Sequence, residues 1–296
     1  MLAESPPVSR PDVSAEPEVQ AAPRTLARPI VGHTLLAFSA LLAGFVVFAF
    51  FLSSLSVDRA QAGLERRFAR PLSYGTAAIG GKVPTGTPIA RLDIPAIGLH
   101  QIVVEGTGAA QLSRGPGHMA VSPLPGQAGN SVIAAHRLVL GGAFSRLSHL
   151  PLGAKIDVLT GQGRFTYIVS RRTVVAASDT AVFQATSSNQ LTLVTGSNLL
   201  ATRRLAVVAN LVGPAKPAPA GGPSVLSASD GGLVGQTGNL GQLAAWMALL
   251  LLVAGGTVVM YRMLPRWSAY VATTPVVALV VWLVYTNLAQ VLPATL

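Results

Sequence analysis

Apolar and polar positions alternate on two length scales along this chain. On the longer scale, three stretches carry no formal charge: Pro29–Val57 around the apolar centre Thr34–Leu55, Gly231–Tyr261 around Leu243–Tyr261, and Trp267–Leu296 around Ala269–Leu288. A helix needs about 20 apolar residues to cross the hydrocarbon core. Core helices of soluble proteins usually keep a polar stripe, which these stretches lack. They predict three transmembrane helices, at 33–56, 242–262 and 268–290. The first run exceeds the roughly 7–15 apolar residues of a signal-peptide core, so it reads as an uncleaved anchor. Ala40 and Gly44 form a small-xxx-small pair within it. Trp246, Tyr261, Trp267, Tyr270, Trp282 and Tyr285 lie in or at the ends of the last two spans, and those at the ends fit interfacial aromatic belts.

On the shorter scale, the segment 87–212 is built of brief apolar runs bounded by Gly, Pro and Asn, the pattern of short strands. The runs are Ile89–Ile94, Ile102–Glu105, Ser131–Ala135, Lys155–Thr160, Arg164–Val175, Leu191–Thr195 and Arg204–Leu211. In the fifth run Phe165, Tyr167 and Val169 share one face, with Thr166 and Ile168 on the other. Helical turns are expected at Ala109–Ser113 and Phe144–Leu150. Seven or eight short strands with few helices predict a mainly β domain, a closed barrel or a sandwich. Around it, residues 1–32 read as a disordered cytoplasmic tail. Residues 57–86 read as a stalk with a charged, helical piece at Asp58–Ala69, and 213–241 as a Pro- and Gly-rich linker.

Composition sharpens this picture. Half of the 296 residues are hydrophobic and only 11% are charged, against about 25% in ordinary soluble chains. There is no cysteine, which excludes disulfides, thiolate metal sites and any cysteine nucleophile. No phosphate-binding glycine loop, HExxH metal motif or G-x-S-x-G elbow occurs, so neither a cofactor nor a metal is expected. The net charge is +10, and residues 58–240 hold sixteen Lys or Arg against seven acids. A solvated face is the ordinary meaning of Arg171, Arg172 and their neighbours, with attraction to anionic envelope polymers or headgroups second. Nucleic acid is disfavoured, because no recognition module appears.

Lys and Arg counts also orient the chain. Arg262 and Arg266 fill the loop between the last two spans, and residues 223–242 contain no Lys or Arg. That places this loop in the cytoplasm and the β domain outside. The first span alone argues the opposite, with Arg24 and Arg28 before it and Arg59, Arg66, Arg67 and Arg70 after it. The hairpin is followed here because its asymmetry is unopposed.

Three places could converge at one rim of the β domain. A strand ends in Ala134-Ala135-His136-Arg137, a second in Thr195-Gly196, and a third opens with Arg203-Arg204. Taken alone, His136 reads as a histidine hydrogen-bonded at a surface. Over Pro88–Leu211 the sequence resembles the sortases, membrane-anchored cysteine transpeptidases that act on cell-surface sorting signals. The resemblance is carried by LDIPAIGLHQIVVEG, FSRLSHLPLGAKIDVLT, GRFTYIVSRRTVVA and LTLVTGSNLLATRRLAVVA. Its most specific stretch is LSRGPGHMAVSPLPGQAGNSVIAAHR, with GPGH, LPGQ-x-GN and AHR in order. The class most resembled is the actinobacterial E or D type.

The resemblance implies an eight-stranded β-barrel, so that with the three apolar stretches the expected fold is a mainly β, sortase-like eight-stranded β-barrel ectodomain with three transmembrane helices. It implies that His136 is the catalytic histidine and Arg204 the catalytic arginine, Arg203 being the second choice. The family's nucleophilic cysteine falls on Gly196, so the nucleophile position is vacant. Ala135 stands where many relatives carry glycine. In the family mechanism a thiolate attacks the substrate carbonyl, histidine moves the proton and arginine stabilises the oxyanion. Glycine supplies no attacking atom. The expectation is therefore a transpeptidase-inactive relative in the cytoplasmic membrane that binds sorting-signal peptides or accompanies an active sortase. Two alternatives stay open: a hydrolase or transpeptidase using Ser197 or Thr195, or water activated by His136; and a structural assembly platform. His118, in GPGH, reads as a structural hydrogen-bonding residue.

Overall fold

The computed structural model describes residues 39, 41, 43–48, 53–198, 202–218, 240–263 and 266–291. The chain divides into two units, Met1–Ala43 and Gly44–Leu296, and every element named below belongs to the second. Helix α1 (Ser53–Ser73) comes first, followed by strands β1 (Pro88–Ile94) and β2 (Leu99–Glu105), a helical turn α2 (Ala109–Leu112), and strands β3 (Gly117–His118) and β4 (Asn130–Ala134). Strands β5 (Lys155–Thr160), β6 (Gly163–Ala176), β7 (Gln190–Gly196) and β8 (Arg203–Val212) complete the β domain. Helices α3 (Leu240–Met263) and α4 (Arg266–Val291) close the described chain.

The eight strands form a closed barrel in the order β1-β2-β3-β4-β7-β8-β6-β5, and β5 pairs back onto β1. The pairs β2/β3 and β4/β7 are parallel and the others antiparallel. Closure removes every open sheet edge, the usual aggregation liability of a β domain. All seven predicted runs are strands, with ends displaced by at most a few residues. The eighth strand, β3, is two residues long, too short to leave a periodic signal.

The alternation read in β6 holds. Phe165, Tyr167 and Val169 are buried in the main core while Ile168 is 37% exposed. The phenol of Tyr167 accepts a hydrogen bond from the Gly126 N–H at 2.6 Å. Gly126 adopts φ +95°, a left-handed conformation that glycine takes without strain, and a side chain there would run into the Phe165 ring. This explains the glycine of the LPGQ stretch in structural terms. Burial pushes the Tyr167 phenol up to about 12, opposed by the Gly126 hydrogen bond.

Helix α1 begins at Ser53, inside the segment expected as the first membrane span, and runs through most of the expected stalk. It is not a detached spacer. Leu64 and Phe68 bury against Ile102 and Val104 of β2. The Gln61 side chain behaves like a strand neighbour: its Oε1 accepts from the Ile102 N–H at 2.7 Å and its Nε2 donates to the Ile102 carbonyl at 3.2 Å. A second bond from Nε2 reaches the Arg114 carbonyl at 2.7 Å. Gln61 thereby satisfies backbone groups of β2 that two-residue β3 is too short to reach.

Of the three predicted membrane spans, one is met in full among the described residues: Gly241–Met260 is 20 residues long with a mean hydropathy of 2.2. In α4 the apolar part found among the described residues is Thr273–Leu288. The first span, the tail 1–32 and most of the linker 213–241 lie largely outside the described residues. The described start of the linker is held to the barrel, with the Lys216 N–H donating to the Gly126 carbonyl at 2.8 Å.

Tyr167→Phe removes the acceptor for a buried N–H and is expected to cost about 1–3 kcal/mol at neutral pH. It also removes a pH dependence. An unfolded tyrosine ionises near 10 and the folded one near 12, so the wild type loses stability as pH rises through that interval, by up to about 3 kcal/mol. Thermal unfolding of the detergent-solubilised chain by circular dichroism, at pH 8 to 12, should show a shallower alkaline decline in the variant.

Candidate functional site

The corner where β4, β7 and β8 meet is fixed by strand alternation. Successive side chains on a strand point to opposite faces of the sheet. Ile133 and Ala135 of the β4 region, Leu191 and Leu193 of β7, and Leu205, Val207 and Ala209 of β8 all point into the main core. Val132, Ala134 and Val194 point outward into a second cluster with Leu112 and Met119, against which Val121 and Phe183 pack. Parallel pairing sets Ala134 beside Val194, and the Ala135 N–H continues the ladder by donating to the Val194 carbonyl at 3.2 Å. His136 and Gly196 each lie two residues beyond this pair. Gly196 is directly opposite Arg204 in the antiparallel β7/β8 ladder. His136, Gly196 and Arg204 thus share the outer face at one end of three adjacent strands.

All three are buried, His136 at 3% and Arg204 at 5% exposure, so His136 is not the surface histidine its local sequence alone indicates. The His136 carbonyl accepts from the Phe144 N–H at 3.0 Å, which folds the following loop back against the strand end. The Arg204 guanidinium carbon stands 5.5 Å from the Phe183 ring centroid, a cation–π distance. Desolvation lowers the Arg204 pKa from its ordinary value. Its Nε is buried without a hydrogen-bond partner, and no carboxylate pairs with it among the described residues. Gly196 lies in extended strand with no left-handed φ, a backbone conformation that any L-residue can adopt.

The neighbouring hydroxyl positions are placed differently. Thr195 is fully buried on the inner side of β7, and its Oγ1 donates to the Ala135 carbonyl at 2.8 Å. Ser197 follows Gly196, its N–H donating to the Arg203 carbonyl at 2.8 Å and its carbonyl accepting from Arg137 Nη1 at 2.6 Å. Arg203, the second choice for the arginine position, is exposed, and its N–H donates to Asn198 Oδ1 at 3.2 Å.

Arg137 was not singled out by the sequence beyond its place in AHR. It ties the end of β7 to the end of β4. A second feature missed in the sequence is a buried network beside the corner. His118 Nδ1 lies 2.9 Å from Glu105 Oε2, and its Nε2 lies 3.0 Å from both the Pro123 carbonyl and Ser122 Oγ. Ser122 Oγ also accepts from the Val132 N–H at 3.1 Å. The network links β2, β3 and β4, and the structural reading of His118 fits it. Glu105, His118 and Ser122 border a cavity of about 310 Å³. Among the described residues no cluster of three or more His, Asp or Glu side chains is placed to hold a metal ion.

Residues 92–212 match the sortase domain. The barrel is a sortase domain. The chain is 34% identical over 101 residues to sortase D of Bacillus subtilis (strain 168), covering 34% of this chain and 50% of that protein. It therefore spans about half the length of that relative. Among solved structures it is similar to a Clostridium perfringens sortase D5 transpeptidase, with 27% identity, coverage of 53% of this chain and 99% of that one, and a TM-score of 0.46. It is also similar to sortase E from Streptomyces avermitilis, with 30% identity, coverage of 44% and 91%, and a TM-score of 0.41.

Two variants probe how the sortase corner is held. Arg137→Ala releases the Ser197 carbonyl, and hydrogen exchange should speed up in residues 197–203 with little change in β5. Thr195→Val leaves the buried Ala135 carbonyl without its side-chain donor. It should lower stability by about 1–3 kcal/mol, read as an earlier thermal transition.

Proposed function

We propose that this chain is a transpeptidase-inactive sortase relative, held in the cytoplasmic membrane with its barrel on the outer face. There it binds sorting-signal peptides or accompanies an active sortase. The observation that carries the reading is Gly196: it occupies the outer-face position beside His136 and opposite Arg204, in a chain with no cysteine. Acyl transfer through a covalent intermediate needs a nucleophile touching its base. A backbone methylene offers none.

The roles assigned to the corner follow from what remains. His136 supplies an imidazole that can donate to a bound carbonyl or carboxylate. Arg204 supplies a positive charge, strengthened by its buried, apolar surroundings. Without Gly196 becoming a nucleophile, these groups bind and orient but do not cleave. Of the alternative nucleophiles, the Thr195 hydroxyl is engaged with the Ala135 carbonyl on the inner side of the strand; Ser197 lies one residue beyond Gly196, where strand alternation turns its side chain away from the outer face.

Membrane attachment is supported by the apolar helix Gly241–Met260. The three-span arrangement and the outward barrel extend it through the uncharged segment 33–56, the apolar Thr273–Leu288 and the Arg262/Arg266 hairpin.

The full chain in detergent or nanodiscs should show neither cleavage nor transpeptidation of sorting-signal peptides while still binding them. Turnover that His136→Ala abolishes would falsify the reading. Gly196→Cys, which the extended backbone accepts, should gain a thioester adduct with a peptide ester, detectable by intact-mass spectrometry.

A further inference from the structure

Arg204 presents a physical problem that the loss of a nucleophile does not explain. Its side chain is nine-tenths buried, Nε has no acceptor, and no acid pairs with it among the described residues. A buried charge is costly to leave without a counter-charge, and the Phe183 ring at 5.5 Å offsets only part of that cost. A guanidinium fork is matched best by a carboxylate, which accepts two parallel N–H bonds. The residue directly opposite it, Gly196, contributes no side chain to the face.

We infer that this corner recognises the free C-terminal carboxylate of a peptide, the cleaved end of a chain rather than an intact peptide bond. The inference rests on the proposed peptide-binding reading and names its ligand class. An intact peptide bond brings a neutral carbonyl to Arg204 and leaves the positive charge uncompensated. A chain terminus brings a full negative charge and fork-matching geometry. The outer face carries the cluster Leu112, Met119, Val132, Ala134 and Val194 with Val121 and Phe183, apolar surroundings that strengthen the pairing of an anion with Arg204. His136 lies on the same face, two residues beyond Ala134. Binding involves no bond making or breaking.

The test uses the full chain in nanodiscs of zwitterionic lipid. A library of acetylated pentapeptides ending in the free acid, and the same library ending in the carboxamide, are compared by affinity selection, and selected peptides are titrated by fluorescence polarisation. The expected result is acid-ended peptides binding at least tenfold more tightly than their amides. Arg204→Gln abolishes that preference, Arg204→Lys keeps a reduced one, and exposed Arg203→Gln leaves it intact. Gly196→Val, a strand-compatible residue that fills the face with Arg204 untouched, blocks binding of the acid. Thermal transitions confirm that each variant is folded. Equal binding of acid and amide overturns the inference while leaving peptide binding standing. Hydrolysis of the amide peptides overturns the inactive-sortase reading beneath it. Binding of neither form, or displacement of the acid by inorganic phosphate or anionic nanodiscs at matching concentration, overturns the inference by identifying an anion site without peptide specificity.

Discussion

Strand β4 runs parallel to β7, and β7 runs antiparallel to β8. The corner depends on that pair of registers. A slip of one residue in a strand sends every side chain to the opposite face. Such a slip in β4 would send Ile133 and Ala135 out of the core and His136 into it. In β7 it would exchange Thr195 for Gly196. The apolar residues of the three strands, buried nearly completely, make such slips expensive. The hydrophobic core is therefore what keeps His136, Gly196 and Arg204 on one face. The side-chain bonds from Thr195 to the Ala135 carbonyl and from Arg137 to the Ser197 carbonyl pin the ends where core packing no longer reaches.

The same principle explains which parts of this molecule could be read from its sequence. Strands β5 and β6 were legible because period-2 burial leaves a printed pattern, as in Phe165, Tyr167 and Val169. The three corner positions were legible as strand ends that could converge at one rim, and the roles expected of them came from a family resemblance. Strand β3 was not, since two residues contain no period. Nor was the buried set of Glu105, His118 and Ser122, which are separated in sequence and become neighbours only when β2, β3 and β4 align. The role of Gln61 was hidden for a related reason: a polar residue on a charged helix looks solvated until the helix is seen to lie along β2.

The loop that leaves the corner connects it to the apolar helices. Val139 and Leu140 pack with Phe48 and Val57, and Leu138 and Tyr285 pack around them. Phe48 meets Trp282 edge-on at 4.9 Å and Phe45 meets Tyr285 at 5.5 Å. Leu140 adopts φ +52°, an uncommon conformation for a non-glycine residue, and the apolar contacts offset its cost. Only Arg137 separates His136 from Leu138, the first residue to pack on this cluster. The position of the histidine is therefore coupled, through a short and well-packed segment, to the helices beside the barrel.

On the proposed reading there is no catalytic reason to keep a buried guanidinium here, and a buried arginine without a carboxylate partner among the described residues lowers stability relative to an apolar residue of similar size. Were the barrel merely a spacer, replacement of Arg204 by such a residue would relieve that cost without disturbing the β7/β8 ladder, whose hydrogen bonds are made by backbone. The arginine is nonetheless present, opposite the residue without a side chain and stacked on Phe183. A ligand that brings negative charge to this face turns the cost into binding energy. On the proposed reading this is the arrangement of a receptor site, with the function of the barrel carried by the charge beside Gly196.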